Sequence, residues 1–186
     1  MSLVKAQAVA DAAVSLLSIK PLIPYKLGGQ SASGMDCEGL VQWCVRKAGG
    51  VSKYSGSNDM YRHDVQWRGT IKEAQAQGKL VPGAAVFVVN NNGAEPAKYK
   101  GDGYGNALHI GMYCGAPNAE CVSASTVTGH VGTTVLSQGW THVGWLKDVD
   151  YSTDAATPPD QPKIDYPRAT AAAKEFVEAV GGTYGG

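Results

Sequence analysis

Over residues 3–18 apolar side chains recur at helical spacing, which predicts an amphipathic first helix that stops near Pro21 and Pro24. A glycine- and serine-rich loop, "YKLGGQSASGMD", follows. The next periodic stretch, about 37–48, puts Leu40, Val41, Cys44 and Val45 on one face and stops at Gly49 and Gly50. Residues 58–77 predict one or two short helices broken at Gly69. After "VPG" the period changes. The valine-rich run "AAVFVV" (84–89) predicts a buried strand, and runs at 107–115, 120–126, 132–137 and 141–146 predict four more. Helices first and neighbouring strands second predict an α+β domain, with N-terminal helices packed on an antiparallel sheet of about five strands.

The composition changes at Tyr151. "STDAATPPDQPK" is proline-rich and poor in apolar residues, so 151–167 is predicted to be a linker. Residues 168–186 follow as a short helix, about 168–180, and a tail. That segment either docks on the main domain, 1–150, or is the start of a second module.

The chain of 186 residues carries 16 basic and 16 acidic side chains. Neutrality argues against nucleic-acid binding through bulk charge, because phosphate contacts need a basic surface. No apolar run approaches the roughly 20 residues that span a membrane. The N-terminal stretch is a poor signal peptide. Four cysteines (37, 44, 114, 121) form no CxxC pair and no zinc spacing, so no metal or other cofactor is expected. Cys114 and Cys121 flank a tight connection and are read as two buried free thiols, with a disulfide as the alternative. "GDGYGN" (101–106) has the glycines of a phosphate loop, but it leads into a strand and not a helix start, and is rejected as one. The stretch 90–106 is read either as a loop beside the site or as a mobile insertion.

The chemistry concentrates at Cys37. It opens the second predicted helix, where unpaired N–H groups and the helix dipole favour a thiolate and can stabilise an oxyanion. Cys44, two turns later, is an ordinary core thiol. A cysteine nucleophile needs an imidazole, and four histidines are candidates. His109 opens the alternating strand "HIGMY", which puts His109, Gly111 and Tyr113 on one face. His142, in "WTHVGW", is its competitor. His63 lies in a charged helical stretch and His130 in a turn. Taken singly, Cys37 and His109 read as buried structural residues; together they read as a pair.

"PYKLGG…GMDCEGLVQ", then "VPGAAVFV", then "LHIGMYCG" resembles the NlpC-type family of cell-wall cysteine peptidases, to which phage CHAP amidases are related. The family pattern is Tyr-x-x-Gly-Gly, Asp-Cys-Ser-Gly-Leu-Val, Pro-Gly-Asp-Leu-Val-Phe and His-Val-Gly-Ile-Tyr, and the resemblance covers roughly residues 20–147. It implies a papain-like core, with Cys37 as nucleophile and His109 as base. It implies that Tyr25 and Asp36 line the pocket for the amine end of a short peptide, although Asp36 is also a favoured helix cap and Tyr25 could simply be packed. Two positions depart: Glu38 stands for the usual serine and Ala84 for the usual aspartate. The third position, normally a histidine, falls nearest Ser123; His130 or a backbone carbonyl is the alternative.

The resemblance implies a peptidoglycan hydrolase acting on a stem-peptide amide, through a thioester, with the γ-D-glutamyl–diamino acid bond first. An N-acetylmuramoyl-L-alanine amidase of a phage lysin is second. Its partner would be the cell-wall stem peptide, and its place the cell wall, as a secreted or phage-derived protein. The missing third histidine keeps open an inactive wall-binding or tail module, and the same core could serve an acyltransferase.

Overall fold

The structure, a computed structural model, describes residues 3–53 and 55–152. Strand β1 (Val4–Lys5) leads straight into α1 (Ala6–Ser15) and a 3₁₀ turn (Leu16–Ser18). A small hairpin follows, β2 (Gln30–Ser31) and β3 (Gly34–Met35), then α2 (Cys37–Lys47) and α3 (Ser57–His63). Strand β4 (Val65–Thr70) and the short α4 (Ile71–Ala76) come next. The remaining strands are β5 (Ala85–Asn90), β6 (Asn106–Ala116), β7 (Ala119–Ser125), β8 (His130–Thr134), β9 (His142–Leu146) and β10 (Val149–Asp150).

Six of these strands form the main sheet, in the order β4-β9-β5-β6-β7-β8, and every neighbouring pair is antiparallel. The predicted sheet of about five strands is therefore one short. The added strand is β4, "VQWRGT", which lies inside the stretch predicted to be helical. Its position comes from long-range pairing: Trp67 lies beside Trp145, and Thr70 pairs with His142 on β9. A six-residue edge strand between two short helices has too little local period to declare itself.

Alternation splits the sheet into two faces. Ala85, Phe87, Ile110, Met112, Val122 and Ala124 are all fully buried and form the face that carries α1 and α2. The helices answer with Val9, Ala10 and Ala13 from α1 and Leu40, Val41, Cys44 and Val45 from α2, all buried. The chain ends of the domain close on each other, because β1 pairs in parallel with β10. Tyr151, first residue of the predicted linker, is buried, stacks on Trp145 and donates to Gly83 O at 3.0 Å. The rest of that linker beyond residue 152, and the helix and tail at 168–186, lie outside the described residues. Cys114 and Cys121 are both buried free thiols.

Glu38 explains one departure from the family pattern. Its side chain is 1% exposed and accepts from Gln42 Nε2 at 2.6 Å, Ser55 N at 2.7 Å and Gly56 N. It thus ties the first turn of α2 to the entry of α3. Burial raises its carboxyl pKa, and the Ser55 and Gly56 N–H groups pull it back down. Replacing Glu38 with alanine leaves buried donors unpaired, so we expect a loss of about 2–3 kcal/mol, with Glu38→Gln losing less. Urea melts check this; a Glu38→Ala midpoint equal to wild type would refute the clamp.

Candidate active site

Asp36 places the start of α2. One carboxylate oxygen accepts from Gly39 N at 2.8 Å, as a helix cap, and the other accepts from Gly28 N at 2.7 Å. Asp36 N in turn donates to Gly29 O at 3.1 Å. The glycine loop and the helix therefore meet backbone to backbone. Gly39 is required there, since a Cβ would sit 2.0 Å from Gly29 O. Tyr25 enters the same corner through a bridge to Met35. Burial raises the pKa of its hydroxyl, and the neighbouring Cys37 and Asp36 raise it further.

The sheet receives Cys37 where two strands part. The register pairs of β6 and β7 are Met112↔Val122, Tyr113↔Cys121 and Ala116↔Ala119, so the part of β6 that bears His109 lies beyond the paired zone. Tyr113 N donates to Ala84 O on the β5 side. Three residues earlier the Ile110 N–H must point the other way, toward the opened side, and there it hydrogen-bonds the Cys37 sulfur. The sulfur is thus held by the residue next to His109. On the other side of that histidine, Nε2 lies 3.3 Å from Ser123 Oγ.

The remaining histidines stand elsewhere. His142 pairs with Phe87, whereas His109 pairs with the next residue, Val88, so the two rings leave opposite faces of the sheet. His142 packs edge-on against Tyr61 of α3 and holds Thr141 Oγ1 at 2.9 Å. The His130 ring is committed to Val131 O at 2.8 Å, and His63 is exposed. His109 and Ser123 thus lie together, the Ile110 N–H links the same strand to the Cys37 sulfur, Tyr25 and Asp36 neighbour that sulfur, and His130 borders Tyr25 through its bridge to Pro24. Ala84, the other departure, is fully buried, and its N–H donates to Val81 O at 3.1 Å.

Two residues of this region carried no sequence signal. The Trp140 indole stacks on the His109 ring, with centroids 5.2 Å apart and planes 20° apart. Arg62 of α3 anchors the 97–106 loop: it pairs with Asp102 at 2.5 Å, donates to Gly105 O at 2.7 Å and lies over the Tyr99 ring. Neither sits in a recognisable motif. Both act through contacts some 30 or more residues away in sequence.

The electrostatics depart from the expectation for a helix-start thiol. Burial pushes the Cys37 thiol up to about 11; the N–H groups of Ile110 and Glu38 pull it down, and the Asp36 and Glu38 carboxylates push it up. Burial lowers the His109 pKa. Burial thus favours the neutral thiol of Cys37 and the neutral imidazole of His109.

The family model of the NlpC/P60 family matches residues 23–146. The chain belongs to the NlpC/P60 family, a family of papain-like cell-wall peptidases. Solved structures share the fold at low identity. NlpC1 from Trichomonas vaginalis has a TM-score of 0.53 and 19% identity, covering 76% of this chain and 44% of its own. The NlpC/p60 domain of the peptidoglycan hydrolase SagA has a TM-score of 0.53 and 14% identity, covering 77% and 100%. An NlpC/P60 family protein from Bacillus cereus has a TM-score of 0.51 and 15% identity, covering 74% and 40%. The chain thus spans less than half the length of the Trichomonas protein. A search of the curated proteins found no match.

A thiol with a pKa near 11 is mostly protonated at neutral pH. We therefore expect the rate of Cys37 alkylation by iodoacetamide, followed by peptide mass spectrometry, to keep climbing from pH 7 to pH 10. A plateau already reached below pH 7 would mean a resting thiolate instead.

Proposed function

We propose that this protein is a cysteine peptidase that hydrolyses a stem-peptide amide of peptidoglycan, with the bond between γ-D-glutamate and a diamino acid as its target. The observation that carries this reading is the meeting of the Cys37 sulfur, through the Ile110 N–H, with the His109–Ser123 pair at the opening between β6 and β7. Membership of the NlpC/P60 family supports the same substrate class.

In this reading the Cys37 sulfur attacks the amide carbonyl while His109 takes its proton. The N–H groups at the start of α2 face the negative oxygen of the tetrahedral intermediate. His109 then gives the proton to the leaving nitrogen, the C–N bond breaks, and a thioester remains on Cys37. His109 next takes a proton from water. The hydroxide attacks the thioester, releasing the peptide carboxylate, and the proton returns to the sulfur. Tyr25 and Asp36 stand beside the sulfur at the glycine loop, where the acyl half and its free amine would lie. Both Asp36 oxygens also hold backbone N–H groups, so Asp36 shapes this pocket as well as facing it. The protein's place of action would be the cell wall, as a secreted or phage-derived enzyme.

Digestion of purified sacculi with mass spectrometry of the fragments tests the reading. A new amino terminus on the diamino acid is expected. A new amino terminus on L-alanine would replace the reading with a muramoyl amidase, and no release at all would overturn it.

Variants refine the test. Cys37→Ala and His109→Ala should abolish release with unchanged thermal melts, since each carries a chemical step. Ser123→Ala removes one neutral hydrogen bond, worth about 1 kcal/mol net, and should slow the reaction by about tenfold or less. A folded Ser123→Ala protein as inactive as Cys37→Ala would give the serine a larger part. Activity should fall on acidification as His109 is protonated, with a midpoint below the usual histidine value of about 6.5.

A further inference from the structure

The His109 ring has a neutral hydroxyl where a second imidazole is usual, and one hydrogen bond at Nε2 leaves the plane of the ring free to tip. The structure supplies the missing constraint from another direction. Trp140 lies nearly parallel to the imidazole, 5.2 Å away between centroids. It is only 7% exposed. Its Nε1 donates to Thr134 Oγ1 at 3.0 Å, which pins the indole to the end of β8. Its far edge lies over Gly111, where a Cβ would come within 2.8 Å of Cη2. The same added Cβ would come within 3.0 Å of Ser123 Cβ and of Val122 O, so the indole and the serine converge on the missing side chain of Gly111. A groove of about 270 Å³ opens here, with His109, Ser123 and Trp140 in its lining together with Thr134 and Gln138.

We infer that Trp140 is a positioning residue for His109: its indole fixes the plane of the imidazole. A stacked aromatic plane restrains ring tilt, which a single hydroxyl cannot do. Burial lowers the pKa of His109, and the indole contributes to that burial. The inference rests on the reading of His109 as the base, and it assigns to Trp140 the orienting work that the usual third histidine would do.

The test uses the full chain as wild type, Trp140→Phe, Trp140→Leu and Gly111→Ala, each checked by a thermal melt. Two readouts are taken: the titration of the His109 ring by NMR, which needs no substrate, and kcat and KM on a stem-peptide amide. Trp140→Leu should raise the His109 midpoint, shift the acid limb of the pH profile the same way, and lower kcat tenfold or more with KM changed less than threefold. Trp140→Phe, which keeps a stacking ring, should retain at least a third of kcat. Gly111→Ala displaces the indole without removing it and should raise the midpoint as Trp140→Leu does; it carries the test if the leucine variant does not fold. The inference is overturned if folded Trp140→Leu or Gly111→Ala keeps the wild-type midpoint, or if phenylalanine and leucine lose kcat equally. Should the wild type cleave no stem peptide, the hydrolase reading fails, and the ring titration still decides the part played by Trp140.

Discussion

The carboxylate of Asp36 is the joint on which the site depends. With one oxygen on Gly39 N and the other on Gly28 N, it fastens the glycine loop to the first turn of α2. That turn sets where the Cys37 sulfur can be. The fastening works only because two backbones touch: Gly39 and Gly29 meet at a distance that no side chain could share. Removing the carboxylate would uncap the helix and release the loop together. A helix cap is commonly worth about 1 kcal/mol; here the larger consequence is positional.

The sheet meets this helix start with an opening of its own. Where β6 and β7 separate, a backbone N–H that would otherwise join the ladder is left to the sulfur of Cys37. The thiol and the ladder donor thus satisfy each other's needs. The low-dielectric setting raises the thiol and lowers the imidazole, keeping both neutral at rest. The indole over His109 adds to that setting.

One departure from the family pattern, Glu38, has a local structural reason. Glu38 reaches across to the Ser55 and Gly56 N–H groups and so holds α3 to α2. Through Arg62, α3 holds the 97–106 loop. A chain of polar contacts thus runs from the turn bearing Cys37 to the loop preceding the strand that bears His109. Ser123 gives the His109 ring a neutral hydroxyl partner.

The period and punctuation of the sequence determined the helix that opens on Cys37, the strand that carries His109, and four of the other five strands of the sheet. These are local properties: a helical stripe ending at Gly49-Gly50, alternating strands bounded by turns, and glycines where backbones must approach. Whether Ser123 or His130 lies beside His109 was open in the sequence, because the distance between side chains on different strands depends on register. Register also separated His142 from His109, by the single step from Phe87 to Val88. Strand β4, the stacking of Trp140 and the pairing of Arg62 with Asp102 were decided by the tertiary structure alone. Each is a contact between segments remote in sequence, and no local pattern of apolar and polar residues encodes its partner. The thiol's protonation state belongs with them, since a helix start favours the thiolate while burial against a sheet, which only the fold supplies, favours the thiol.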